Sequence, residues 1–166
     1  MLILGCDPGL SGALALYNPT LNTLHVEAMP TVELLRNSKS KHQIDAYALA
    51  RIIDDMTGIT HAYVEAVGAM PGQGTASCFS FGHSAGVLYG VLAANFIPVT
   101  FVSPVRWKKA MGITASKDGA RARASQLFPR HANKWTRVKD DGIAESALIA
   151  LYGARDHGIG EIHASV

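Results

Sequence analysis

Two carboxylates each close an apolar stretch. Asp7 ends Met1-Leu2-Ile3-Leu4-Gly5-Cys6, just before Pro8-Gly9, and Glu65 ends His61-Ala-Tyr-Val. Two more, Asp141 and Glu145, stand four residues apart in a segment whose apolar residues Ile143, Ala147, Leu148, Leu151 and Tyr152 recur at helical spacing. They therefore project from one helix face, a turn apart. Like charges so placed cost a few tenths of a kcal/mol on an exposed helix, and more when partly buried, so they call for basic neighbours or a cation. Four carboxylates converging from two strand ends and one helix face form a hard-oxygen site suited to Mg²⁺ or Mn²⁺. Two such ions roughly 3.5–4 Å apart activate a water and stabilise the leaving oxygen of a phosphodiester. The chemistry expected is phosphodiester hydrolysis.

The elements that must position these groups can be read in order. Residues 2–4 form a buried strand that Pro8-Gly9 terminates, and residues 12–17 form a second strand after a tight Gly-Leu-Ser-Gly connection. Residues 24–28 complete a meander, and 38–42 read as a polar loop. Ile44 to Met56 has the spacing of an amphipathic helix, with Tyr47, Arg51, Asp54 and Asp55 turned outward. If the 61–65 strand lies parallel to the first after that crossover, Asp7 and Glu65 emerge at one sheet edge. The 66–74 loop directly after Glu65 is placed to touch substrate. The helix expected over 75–95 is apolar almost all round and rich in glycine and alanine, so it needs more than one packing partner. Residues 97–102 read as a strand, Pro104 starts a helix through Lys109, and Ser116-Lys117 reads as the cap and first residue of a helix towards Leu127. Residues 129–138 read as a basic, aromatic-bearing loop, and the last helix runs from about Asp140 to His157. The organisation expected is one α/β domain over 1–157 with a loosely held tail over 158–166.

Net charge is only +2, yet residues 106–139 hold ten of the fifteen basic residues and one of the thirteen acids, a local charge of +9 against −7 for the rest. Trp107 and Trp135 lie in this window, and it ends against Asp140-Asp141. That combination points to a polyanion held beside carboxylates. Cys6 and Cys78 lack metal or redox spacing, and the seven histidines are scattered. No apolar run reaches membrane-spanning length, so the chain is expected to be cytoplasmic with no membrane partner.

The chain resembles the RuvC Holliday-junction resolvases of the ribonuclease H-like superfamily, particularly their shorter phage relatives. The matching residues are Ile3 to Gly9 with Ser11-Gly12, Tyr63-Val64-Glu65, Gly82 to Gly86, Ser103-Pro104 through Lys108-Lys109 to Ser116-Lys117, and Lys139 to Ser146. They span positions 3 to about 152, in family order. The resemblance implies a mixed five-stranded sheet flanked by helices, a homodimer, and divalent-metal-dependent cutting of branched DNA, foremost four-way junctions, by paired nicks. It makes Asp7, Glu65, Asp141 and Glu145 the metal ligands. It matches Lys117, and Lys108 or Lys109, to basic residues that approach the scissile phosphate, while Arg121, Lys134 and Arg137 are expected to hold DNA. The resolvases typically place the last two acids three residues apart, both usually Asp. Here they are four apart and the second is Glu145, which leaves Asp140 an alternative to Asp141. The rival readings are a less selective branched-DNA nuclease with the same metal site, a catalytically idle junction-binding module, and an actin-type nucleotide-binding domain, which would need a second lobe and phosphate loop.

Overall fold

β1 (Leu2–Asp7) lies at the centre of a five-stranded sheet, flanked by an antiparallel and a parallel neighbour. The structure, a computed structural model, describes residues 1–36, 39–66, 68, 72 and 74–158. On one side β1 pairs with β2 (Ala13–Asn18), which pairs with β3 (Thr23–Ala28), giving the expected meander. On the other it runs parallel to β6 (Ile59–Glu65), which runs parallel to β7 (Val99–Val102). The sheet is thus mixed, in the order β3-β2-β1-β6-β7.

Alternation along β1 divides the interior in two. Ile3 faces a cluster with Tyr63, Trp107, Trp135, Leu148 and Ile149, whereas Leu4 and Cys6 face one with Leu14, Leu49, Ile53, Leu88 and Leu92. The first layer belongs to the carboxyl-terminal helix α5 (Asp141–Asp156), the second to α1 (Ala46–Asp55) and α2 (Thr75–Ala94). Each fully buried leucine among these contributes about 1.5–3 kcal/mol. Helix α1 begins at Ala46 because the Asp45 side chain accepts hydrogen bonds from the Tyr47 and Ala48 amides, both 3.0 Å. Helix α2 buries only Ser84, Leu88 and Leu92, which leaves Phe79 and Tyr89 exposed. No described helix is long and apolar enough to cross a membrane.

Three local expectations are corrected. Residues 39–42 are not loop: β4 (Thr31–Arg36) and β5 (Lys39–Ile44) pair antiparallel as a separate two-stranded sheet, with Glu33 opposite His42 and Leu34 opposite Lys41. Backbone pairing, which needs no apolar side chains, makes a strand of Lys-Ser-Lys-His-Gln-Ile. Position 38 lies outside the described residues, as do 67, 69–71 and 73 of the loop after Glu65 and the tail from 159 onward. The helix expected from Ser116-Lys117 instead begins as α4 (Gly119–Leu127), because the Asp118 carboxylate engages Arg121 rather than forming a cap. Finally, 129–138 is built from short 3₁₀ turns, and its aromatic serves the interior. Trp135 is buried, donating from Nε1 to Ser125 Oγ at 3.0 Å, and Trp107 on α3 (Pro104–Ala110) is wholly enclosed. Neither indole is available to stack on a nucleic acid.

Candidate active site

The parallel pairing of β1 with β6 delivers Asp7 and Glu65 to the same sheet edge, as their positions at strand ends require. Asp7 is fixed from within its own turn, where its Oδ1 accepts the Gly9 amide at 3.0 Å. Helix α5 then lies directly on β1, and two glycines permit the approach. A Cβ on Gly5 would sit 2.2 Å from the Ser146 carbonyl oxygen. One on Gly142 would sit 2.2 Å from the Ser11 carbonyl oxygen and 3.0 Å from Asp7 Oδ2. The helix that carries Glu145 is thereby seated over Asp7.

The electrostatics show which acids share a neighbourhood. Burial raises the pKa of Asp7, with Glu145 adding to the rise, while the Gly9 amide and Lys108 oppose it. Burial likewise pushes Glu65 up to about 7, helped by Glu145 and Asp7 and opposed by Lys108. Lys108 reaches into this group, with Nζ 2.7 Å from Glu145 Oε1. Its own burial disfavours the ammonium, but Glu145, Glu65 and Asp7 together outweigh that and raise its pKa. Asp7, Glu65, Glu145 and Lys108 therefore form one coupled cluster. The buried Trp107 indole Nε1 makes no well-formed hydrogen bond, yet it lies close enough to Glu65 to favour the charged carboxylate.

The remaining candidates are placed differently. Asp141 is half-exposed and paired with Arg121, Nε to Oδ1 at 2.6 Å. Arg121 also binds Asp118 and donates to the Thr136 carbonyl at 3.2 Å, so this arginine is occupied in joining α4 to α5. Asp140 is buried under Arg137, which contacts it through Nε at 3.0 Å and Nη2 at 2.9 Å, and it also accepts the Arg137 amide. That fork occupies both oxygens of Asp140, as Arg121 occupies Oδ1 of Asp141. Lys109, Lys117 and Lys134 are exposed, and among the described residues none of them pairs with a carboxylate. Of the lysines read from the sequence, Lys108 alone among those described joins the acids.

The donor set fits a hard divalent cation, since burial and the neighbouring Glu145 carboxylate raise the pKa of both Asp7 and Glu65, and added positive charge among these three partly buried carboxyls would relieve that. Among the described residues no three acidic, histidine or cysteine side chains are drawn to ligating distance, and Lys108 supplies the cation among them. Sequence reading missed the part played by Trp107 and by the close approach of α5. A glycine inside a strand, Gly5, was the available signal for the latter.

Comparison with solved structures reaches the same architecture. Thermus thermophilus RuvC in complex with a Holliday junction substrate is similar with a TM-score of 0.62 at 13% identity, the match covering 94% of this chain and 96% of that one. The T. thermophilus RuvC structure gives 0.58 at 14%, covering 95% and 97%, and the fowlpox virus Holliday junction resolvase gives 0.52 at 16%, covering 95% and 99%. No protein-family model and no curated protein matches the chain. With its mixed sheet, its helix order and its acids at the shared strand edge, the chain has the ribonuclease H-like fold of the RuvC-type Holliday junction resolvases.

Proposed function

We propose that this protein is a divalent-metal-dependent, structure-selective endonuclease that cuts four-way DNA junctions by paired nicks, acting as a homodimer. The observation that carries the reading is the coupled cluster of Asp7, Glu65 and Glu145 at one sheet edge, on a fold shared with a protein solved on a Holliday junction. Asp7, Glu65, Asp141 and Glu145 hold Mg²⁺, or Mn²⁺ in its place. The bound metal supplies an activated water and stabilises the leaving oxygen of the phosphodiester. Trp107 lies beside Glu65, and Asp141, paired here with Arg121, would be the fourth carboxylate to hold the metal. Lys108 counters the charge that grows on the scissile phosphate, the role of a preorganised cation in a partly buried site. Lys117, exposed on the approach to α4, faces the substrate strand. Lys109, Lys134 and Arg137 lie in the strongly basic window and contact DNA phosphates.

The second copy docks on α2. The open face of this helix carries Gly82, Gly86, Tyr89 and Ala93, and a Cβ added at Gly82 or Gly86 would meet nothing within 4 Å. Backbones can therefore approach closely across a two-fold axis, giving an isologous interface. One domain of this size carries one acidic site, and a pair of opposed nicks requires two.

The test is cleavage of a labelled four-way junction beside linear duplex of the same sequence, in Mg²⁺ and in EDTA. Paired nicks confined to the junction and abolished by EDTA are expected. Equal cutting of duplex would reassign the protein to the less selective branched-DNA nucleases.

A further inference from the structure

The β4–β5 hairpin lies outside the five-stranded sheet, and it is anchored to the catalytic turn. The Met29 amide donates to the Gly12 carbonyl and the Asp45 amide to the Pro30 carbonyl, each at 2.9 Å, so the hairpin's two ends are tied together beside the turn after Asp7. Between the hairpin and α2 lies a cavity of about 150 Å³, lined by Leu34, Lys41, Gln43, Phe79 and His83 among others. Phe79, at the amino-terminal end of the open face of α2 and before the stretch on which the second copy docks, is 71% exposed in one copy of the chain and stacks with His83, ring centroids 6.4 Å apart and planes 29° apart. A second hollow of about 430 Å³ runs from Gly9, Leu10 and Ser11 to Ser80 and Ser84 on α2. Ser80 lines both, so the two hollows adjoin along α2 and together form a groove between the turn after Asp7 and the hairpin.

The chemistry along this groove is graded. Near Asp7 it offers backbone and serine hydroxyls, and at the far end a pair of exposed aromatic rings beside a lysine that forms no ion pair among the described residues. The acid nearest in register, Glu33, lies opposite His42 and accepts a hydrogen bond from Ser40. It sits out of step with Leu34 and Lys41, which share the hairpin's other face. Exposed rings with an adjacent cation suit a base with its phosphate, because every base has a face to stack and the backbone carries the charge. Paired DNA buries its base faces, so the occupant must be unpaired.

We propose that this groove binds a short unpaired DNA strand, with Phe79 and His83 stacking on a base and Lys41 holding its phosphate. The inference rests on the nuclease reading for its choice of DNA, and it assigns the hairpin the task of holding nucleotides freed at a branch point while Asp7 faces the strand to be cut.

Binding of fluorescein-labelled dT₁₀, measured by anisotropy in EDTA, tests it without cleavage. The full-length dimer is expected to bind, Phe79→Ala to weaken that binding roughly tenfold, and Lys41→Ala to flatten its log–log salt dependence by about 0.7. Arg51→Ala on exposed α1 should leave it unchanged. Sedimentation checks that Phe79→Ala remains dimeric; should it not, Lys41→Ala, on an exposed strand, carries the test with His83→Ala. Wild-type affinity in these variants, or no binding of dT₁₀ by wild type, overturns the groove while junction cleavage leaves the nuclease reading standing. Weakened dT₁₀ binding in a protein that never cuts junctions sustains the groove and overturns the nuclease reading.

Discussion

Glu65 keeps its proton up to about pH 7 because burial, Glu145 and Asp7 all disfavour its charge. Its pKa in the folded state lies above the ordinary value of 4.5, so between those two values the folded protein binds a proton that the unfolded chain has released. Stability in EDTA should therefore fall as pH rises through this window. Mg²⁺ held by Glu65, as proposed, would favour the deprotonated carboxylate, so it should raise the melting temperature more at pH 8 than at pH 5.5. Calorimetry at both pH values, with EDTA or Mg²⁺, checks this, and a Mg²⁺ shift independent of pH would remove Glu65 from the ligands. Among the cations, Lys108→Ala should slow single-turnover cleavage about 100-fold with little change in junction affinity. Lys134→Ala should do the reverse, weakening binding and reducing its salt slope by about 0.9. Asp7→Asn and Glu145→Gln should each abolish cleavage while leaving junction binding in gel-shift assays intact.

At the scale of elements, the site depends on α5 lying flat on β1. Gly5→Ala should destabilise the fold by roughly 3 kcal/mol, because the new methyl group meets the backbone of Ser146 and Ala150, which cannot swing aside as a side chain can. Urea titration measures this, and wild-type stability in the Gly5→Ala protein would mean that α5 sits further from the sheet. The entry of α5 is held separately by the fork between Arg137 and Asp140. Asp140→Asn should cut junctions at near the wild-type rate yet melt earlier at neutral pH. The lowered pKa of Asp140 makes its contribution present above its ordinary value and lost as the carboxylate protonates in acid. Loss of cleavage in a folded Asp140→Asn protein would make Asp140 the ligand instead of Asp141.

For the molecule as a whole, the open face of α2 is where the proposed dimer is tested. Sedimentation equilibrium at micromolar concentration should give a dimer for wild type and a monomer for Gly86→Glu, since a carboxylate placed on a closely packed apolar face cannot be desolvated without a partner. The monomer should bind a junction more weakly and give single, unpaired nicks. A monomeric wild type that still makes paired nicks would refute both the interface and the mechanism built on it.

The sequence by itself determined the central sheet and the two strand-end acids, because period-two burial and Pro-Gly termination are local signals that tertiary packing here reinforces. The pattern around Asp7, the strand before Glu65 and the helical stripe of α5 were all legible, and with them the fold. What the sequence left open depended on contacts between distant segments. The hairpin of β4 and β5 escaped notice because its second strand is almost wholly polar and pairs through its backbone. Trp107 and Trp135 read as part of a basic surface because their charged neighbours in sequence face outward while the indoles turn into the core. Charge spacing alone could not say which cation meets which acid. Only the packing of α3 and α4 against α5 decided that Lys108 joins Glu145 and that Arg121 is taken by Asp141. Those pairings join residues up to 37 positions apart, and chain geometry fixes such meetings only once the helices have docked.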